Sequence, residues 1–195
     1  MSTHAIDSPR SVTLGILAGG RASRLDGRDK AWLQRDGQPL VLALSAPLAA
    51  AFDAVLVSAN RNQERYLAHG LRVVHDREAD VGPMAGLDAL ADACRTPWLL
   101  TLPVDMLRVP ELLLEQLSAV SGGAWLHDDD GAQPLVALWP VAALRNAAGA
   151  AIAGRNRAVH ALQARMGMQA VTIPGIGVGN LNTPADLAAA GIAWP

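Results

Sequence analysis

Apolar and polar positions along this chain follow two alternating periods. Short, nearly continuous apolar runs read as strands: Val12–Ala18, Ala54–Ala59, Leu71–His75, Trp98–Leu102, Gly123–His127, Leu135–Trp139 and Ala170–Ile173. Runs without a polar face suit central strands covered by helices on both sides. Between them lie segments of helical character: Pro39–Ala51, Arg61–Ala68, Pro83–Cys94, Pro110–Val120, Val141–Gly149, Asn156–Arg165 and Pro184–Ala189. In Pro83–Cys94 the residues Leu87, Leu90, Ala91 and Cys94 fall at i, i+3, i+4 and i+7, which is one face of a helix. Pro83, Pro110 and Pro184 stand near predicted helix starts, where a missing N–H costs nothing.

Strand and helix therefore alternate, which predicts an α/β fold with a doubly wound, mainly parallel sheet. Around Gly123–Trp139 two strands follow one another across His127-Asp128-Asp129-Asp130-Gly131. That pattern predicts a hairpin, a local antiparallel addition. No internal repeat, low-complexity tract or linker interrupts the chain, so a single domain over residues 1–195 is expected.

Composition narrows the function classes. A chain of 195 residues that is 51% apolar can bury one substantial core. A net charge of −2 offers no basic field for nucleic acid. The single cysteine, Cys94, excludes an internal disulfide framework and suits a reducing compartment; its place on an apolar helix face makes it a core residue. The stretch from Pro39 to Asn60 is long enough to span a bilayer, but Pro47 and Asp53 divide it into helix, turn and strand. The apolar run after Arg10 is at the short limit for an export signal and follows Asp7. A cytoplasmic protein that neither enters a membrane nor is exported is expected.

Ligands in open α/β sheets sit outside the carboxyl ends of the strands. The first such end reads Leu17-Ala18-Gly19-Gly20-Arg21-Ala22-Ser23-Arg24, continuing to Arg28-Asp29-Lys30. Paired glycines let backbone N–H groups approach phosphate oxygens, and the cations of this loop suit a triphosphate. Among sixteen Lys and Arg residues Lys30 is the sole lysine, a compact ammonium kept where arginine is otherwise preferred. The loop lacks the Gly-Lys-Ser/Thr ending of a Walker A motif and the glycine spacing of a dinucleotide fingerprint. A solvated glycine turn is the bland alternative. Past another apolar run, Asp105 is placed to hold a hard cation against phosphate, or merely to cap a turn. Asn60 and Asp76 follow two further strands; either can read a base or ribose, and either can be a turn residue. Asp128-Asp129-Asp130 is read as a solvated turn rather than a metal cluster, and the five histidines show no ligand spacing.

At these residues the chain resembles the molybdenum cofactor guanylyltransferases, the molybdopterin-guanine dinucleotide biosynthesis protein A family. The likeness runs over essentially the whole chain: Leu17-Ala18-Gly19-Gly20 with Arg24 and Asp29-Lys30; Ser58-Ala59-Asn60-Arg61; Asp76 followed by Gly82-Pro83-Met84-Ala85-Gly86; Pro103-Val104-Asp105; and Asn180-Leu181-Asn182-Thr183-Pro184. The resemblance implies a nucleotide-diphospho-sugar transferase-like variant of the Rossmann fold. It implies a nucleotide-binding half near 12–108 and an acceptor-binding half near 109–195. GTP would meet Leu17, Ala18, Gly19, Gly20, Lys30, Asn60, Asp76 and Asp105, with Mg²⁺ on Asp105. Asn182 would assist a metal or the acceptor. Gly20 and Gly82–Gly86 favour guanylyl over cytidylyl transfer. Leu25-Asp26 departs from the family's usual Met-Gly, and Gly175, Gly177 and Gly179 make the stretch before Asn180 unusually glycine-rich.

The implied reaction is attack by the terminal phosphate of molybdopterin on the α-phosphorus of GTP, with release of pyrophosphate. A phosphate nucleophile is ionised at neutral pH, so positioning and charge neutralisation suffice. Lys30, Arg24 and Asp105 would carry catalysis, and Arg155, Arg157, Asn180 and Asn182 would contact the acceptor. A molybdoenzyme or chaperone would receive the product. Alternatives are a relative using CTP or a sugar phosphate, a noncatalytic nucleotide sensor, and an NAD-dependent oxidoreductase, the last disfavoured by the missing fingerprint.

Overall fold

A computed structural model of the chain describes residues 11–19, 29–78, 81–181 and 183–192. Its strands are β1 (Val12–Leu17), β2 (Gln34–Arg35), β3 (Gln38–Pro39), β4 (Ala54–Ser58), β5 (Arg72–Val74), β6 (Trp98–Pro103), β7 (Ala124–Asp128), β8 (Gly131–Pro140) and β9 (Gln169–Thr172). Its α-helices are α1 (Leu40–Ser45), α2 (Gln63–Ala68), α3 (Pro83–Ala93), α4 (Leu113–Ser118), α5 (Val141–Ala153), α6 (Val159–Arg165) and α7 (Pro184–Ala189). The seven apolar runs all became strands of one sheet, ordered β5-β4-β1-β6-β8-β7-β9.

Within this seven-stranded sheet only β8 runs against its neighbours, pairing antiparallel with both β6 and β7. This is the expected hairpin addition, with Asp129 and Asp130 as its two-residue turn. After β1 the chain moves outward to β4 and β5, then returns across β1 to form β6. The reversal opens a crevice at the carboxyl ends of β1 and β6. Register makes those ends level: Val74 lies opposite Ser58, Ser58 opposite Leu17, and Leu17 opposite Pro103.

Helices cover both faces. One core cluster joins Leu14 and Ile16 of β1 to Leu44 of α1, Tyr66 of α2, Leu117 of α4 and Leu187 of α7. The other joins Leu56 and Leu99 to Leu87 and Leu90 of α3, Leu144 of α5 and Leu162 of α6. Burial on both faces is why β1 reads as a nearly continuous apolar run. Gly15 is the exception that fits: a Cβ there would lie 2.9 Å from Leu99 Cδ1 and 3.0 Å from Leu90 Cδ1, so its absence lets α3 close onto the sheet.

Several boundaries differ from the sequence reading. The helix expected over Pro39–Ala51 is α1 followed by a 3₁₀ turn at Ala49–Ala51; Pro47 has no N–H to continue the ladder. The helix expected from Arg61 begins at Gln63, because Asn62 adopts φ 56°. The helix expected from Pro110 begins at Leu113, while α5 continues through Gly149 to Ala153. The hairpin of β2 and β3 was not expected. Its turn is Asp36-Gly37, with φ 51° and 77°, the pair favoured where both turn residues need positive φ.

One side-chain junction ties the parallel part of the sheet to β8. Thr101, fully buried, accepts from Trp139 Nε1 at 2.8 Å and donates to the Leu135 carbonyl at 2.7 Å. Thr101→Val preserves shape but strands the indole N–H and that carbonyl. The expected loss is about 1–3 kcal/mol, seen as a lower midpoint in urea unfolding with unchanged slope.

Candidate active site at the carboxyl edge of the sheet

The level strand ends place the next residues of four segments along one edge: Ala18-Gly19, Ala59-Asn60, His75-Asp76 and Val104-Asp105. Backbone bonds hold these extensions together. Ala18 N–H donates to the Ser58 carbonyl at 3.0 Å, Ala59 N–H to that of Val74 at 3.0 Å, and Val104 N–H to that of Leu17 at 3.1 Å. The Ala18 N–H is thus already engaged, whereas Gly19 is exposed beside Asn60.

Lys30 lies in a 3₁₀ turn, Lys30–Trp32, that reaches this edge from the side. Its Nζ donates to Asp105 Oδ2 at 2.9 Å and to the Leu181 carbonyl at 2.6 Å. Both side chains of the ion pair keep about a fifth of their surface, 21% and 19%. Leu181 returns a bond through its N–H, to the Asp105 carbonyl at 3.1 Å. Two residues singled out separately in the sequence therefore meet directly.

Asp29 sets that turn. Its Oδ1 accepts from Ala31 N–H at 3.1 Å, and its Oδ2 accepts from Asn62 Nδ2 at 3.0 Å and Tyr66 OH at 3.4 Å. Burial, reinforced by the Asp29 carboxylate, pushes the Tyr66 hydroxyl well above its ordinary range, so it stays a donor. Trp32 packs on Tyr66 with centroids 4.8 Å apart, and the Arg65 guanidinium lies 4.1 Å over the indole. The sequence reading missed Asn62 and Tyr66. Asn at a helix entrance was a usable signal, since Asn tolerates positive φ and caps locally.

Asn60 and Asp76 also meet. Asn60 Nδ2 donates to Asp76 Oδ2 at 2.7 Å, Asp76 N–H returns a bond to Asn60 Oδ1 at 3.0 Å, and Ser58 Oγ donates to Asp76 Oδ1 at 3.3 Å. The first turn of α3 presses on this corner. A Cβ on Gly86 would lie 2.7 Å from Ser58 Oγ and 2.9 Å from Leu17 Cδ2. Gly82, at φ 73°, supplies the turn into the helix.

Gly20, Arg24 and Asn182, with Arg21, Leu25, Asp26 and Arg28, lie outside the described residues. Asn180 is half-buried next to Leu181 and pairs through its backbone with Met106. Arg155 and Arg157 are exposed on the turn between α5 and α6. That turn faces the same end of the sheet: α5 starts beside the amino end of β6, where Arg145 binds the Ala91 and Cys94 carbonyls, and runs back.

One expectation is corrected. Asp128 is not part of a solvated turn: it is 3% exposed and accepts from Val178 N–H at 2.8 Å, Asp130 N–H at 3.0 Å and Gln133 Nε2 at 3.2 Å. Cys94 is buried as expected, against Thr96. Among the described residues no cluster of three or more His, Cys, Asp or Glu side chains could hold a metal, and no helix is long and apolar enough to cross a membrane.

Known proteins with this pattern are consistent among themselves. Residues 14–168 match the model of the MobA-like NTP transferase domain. The molybdenum cofactor guanylyltransferase of Pseudomonas paraeruginosa is 39% identical over 181 residues, 89% of this chain and 91% of that one. The enzyme of the same description from Pseudomonas fluorescens is 36% identical over 180 residues, 87% and 88% of the two chains. Among solved structures, molybdopterin-guanine dinucleotide biosynthesis protein A from Archaeoglobus fulgidus shares the fold, with a TM-score of 0.70 at 21% identity over 91% of this chain and 96% of that one. With its level strand ends and its Lys30–Asp105 edge, the chain belongs to the MobA-like NTP transferase family, among the molybdenum cofactor guanylyltransferases.

Proposed function

We propose that this protein transfers GMP from GTP to the terminal phosphate of molybdopterin, releasing pyrophosphate, with the crevice between β1 and β6 as its active site. The observation that carries the reading is the convergence of Lys30 and Asp105 at 2.9 Å, beside Gly19 and the Asn60–Asp76 pair. An ammonium and a carboxylate held together suit a metal–triphosphate, whose two charge types each find a partner. The half-buried edge keeps both groups reachable by ligand.

The donor set fits magnesium. Mg²⁺ is typically bound by one or two carboxylates together with substrate phosphates, not by an all-protein cage, and Asp105 is such a carboxylate. When bound there, the ion would neutralise charge on the triphosphate. Lys30 would add positive charge toward the phosphates, and Gly19, Gly20 and Arg24 are the further loop residues assigned to them. The α3 amino end, brought close by Gly86, favours anions through its dipole. An acceptor phosphate oxygen forms the new bond to the α-phosphorus. The α–β anhydride bond breaks, and pyrophosphate leaves with its electron pair. No residue need remove a proton, so the chain's task is orientation and electrostatics.

We assign the nucleotide to residues 12–108 and the acceptor to 109–195, where Asn180, Asn182, Arg155 and Arg157 are the candidate contacts. The Asn60–Asp76 pair, with the Leu17–Gly20 backbone, serves base and ribose. GTP is an intracellular substrate, so the cytoplasm is the proposed location, with a molybdoenzyme or its chaperone receiving the product. The direct test is pyrophosphate release with GTP, molybdopterin and magnesium; tight GTP binding without release would make the protein a sensor.

Lys30→Ala should lower turnover at least about a hundredfold, on the order of 3 kcal/mol of transition-state stabilisation. Thermal unfolding should change little, because partly exposed ion pairs contribute roughly 0–1 kcal/mol. Lys30→Arg should also be impaired, since a planar fork cannot replace a point charge here. Near-normal turnover in Lys30→Ala removes the residue from the reaction.

Asp105→Asn should weaken magnesium-dependent turnover more than it weakens GTP affinity measured without metal. Activity titrated against magnesium checks this; an unchanged requirement in the variant excludes Asp105 as the ligand.

A bound base would cover the Asn60–Asp76 pair, and a base of the wrong pattern would leave those groups unpaired beneath it. GTP should therefore exceed CTP and ATP by at least about a hundredfold in kcat/KM. Gly86→Ala should erode that preference, because the added Cβ would displace Ser58 and with it Asp76. Equal efficiencies for GTP and CTP in the unmodified protein would overturn the guanylyl reading and leave nucleotidyl transfer standing.

A further inference from the structure

A row of polar side chains runs from the β7–β8 turn to the site. Asp128 accepts from Gln133 Nε2 at 3.2 Å, and Gln133 Oε1 accepts from Asn180 Nδ2 at 3.3 Å. Asp128 is 3% exposed and Gln133 9%. Asn180 is backbone-paired with Met106, the residue after Asp105. The next residue, Leu181, binds the Asp105 carbonyl and the Lys30 ammonium. The row thus ends beside the ion pair.

The direction of the row is forced by its first member. A carboxylate only accepts, whereas a carboxamide has one donating and one accepting end. Asp128 already takes backbone N–H groups from Val178 and Asp130 and so receives the NH₂ end of Gln133. That leaves Gln133 Oε1 toward Asn180, which must answer with Nδ2. Asn180 is then left with its carbonyl oxygen, Oδ1, to which nothing among the described residues donates. Flipping one amide would set donor against donor, or acceptor against acceptor, where little water can compensate. Amide orientations are properly assigned from such networks.

We propose that Asp128 and Gln133 are positioning residues that fix the polarity of Asn180, so that it presents an oxygen, not an amine, to the incoming acceptor substrate. An oxygen selects N–H donors, which a pterin ring carries; the inference rests on the functional reading above for the identity of that acceptor. The buried anion acts at a distance, through two amides, and never touches substrate.

The relay can be separated from a merely structural role by a double-mutant cycle. Gln133→Met keeps size and removes both polar ends, so Asn180 is free to flip. With it, KM for molybdopterin should rise about tenfold, the worth of one oriented hydrogen bond, while the GTP dissociation constant stays within twofold. Asn180→Leu should cost at least as much. The double variant should be no worse than Asn180→Leu alone, because Gln133 acts only through Asn180. Effects that multiply, or a loss shared equally by GTP, would overturn the proposal. A second measurement needs no folded Gln133 variant: in the unmodified protein the Asn180 carboxamide protons, assigned through their loss in Asn180→Leu, should exchange slowly with solvent. Fast exchange at Asn180 would overturn the relay. Absence of pyrophosphate release by the unmodified protein would instead overturn the functional reading, and the exchange measurement would still decide the relay.

Discussion

The Lys30 ammonium binds two partners at once, the Asp105 carboxylate and the Leu181 carbonyl, 75 and 151 residues away in sequence. Three segments that have no local reason to meet are joined at one nitrogen. The pair is partly exposed, and such pairs add little to stability. Its importance lies in geometry: the Lys30 turn, the end of β6 and the segment leading to α7 are held at fixed separation. Preorganised charge of this kind acts without reorganisation when a reaction occurs, which is where electrostatic catalysis gains most.

The rest of the fold can be understood as what brings that nitrogen into place. Parallel pairing of β1 with β6 sets Leu17 opposite Pro103, so the residues beyond them emerge side by side. Asp29 holds the turn from behind through Ala31, Asn62 and Tyr66, linking the Lys30 side of the crevice to the segment that carries Asn60. The Thr183–Asp186 capping box fixes the start of α7 just after the Leu181 segment. Close approaches matter as much as bonds. Gly15 lets α3 settle on the sheet and Gly86 lets its first turn touch Ser58 and Leu17, so the helix end arrives at the crevice instead of standing off it.

The parallel half of the sheet was legible because central strands are apolar on both faces and helices between them keep their own period. Asp105, Asn60 and Asp76 were legible as polar residues placed where apolar runs stop, and Lys30 as the sole lysine of the chain, in a glycine-rich loop. Their pairing was not, since it depends on register across strands rather than on spacing within them. The break at Pro47 and the Asp36-Gly37 hairpin were both written locally, and the hairpin was overlooked because its strands are only two residues long. Asn62 and Tyr66 were missed for a different reason: Tyr66 reads as an ordinary helix-face aromatic until Asp29 is seen beside it.

Asp128 and the glycine-rich stretch before Asn180 were each opaque alone and explain one another together. A run of three aspartates suggests solvent, and three spaced glycines suggest slack. In the fold the Gly175–Val178 backbone lies directly on the β7–β8 turn, giving N–H groups to Asp129 and Asp128. A Cβ on Gly177 would come within 2.7 Å of Asp130 Oδ2, and Gly179 holds φ 63° against Leu107. Gly177 is small because a carboxylate is close, Gly175 and Gly179 supply the positive φ of the loop, and Asp128 is buried because that loop descends on it. The two sides of the crevice are consequently built on different principles. The side at the ends of β1, β4 and β5 rests on backbone pairing between level strands, which tolerates many side chains. The side near Asn180 rests on a carboxylate and two amides, where one polar atom of the wrong kind reverses what the surface offers.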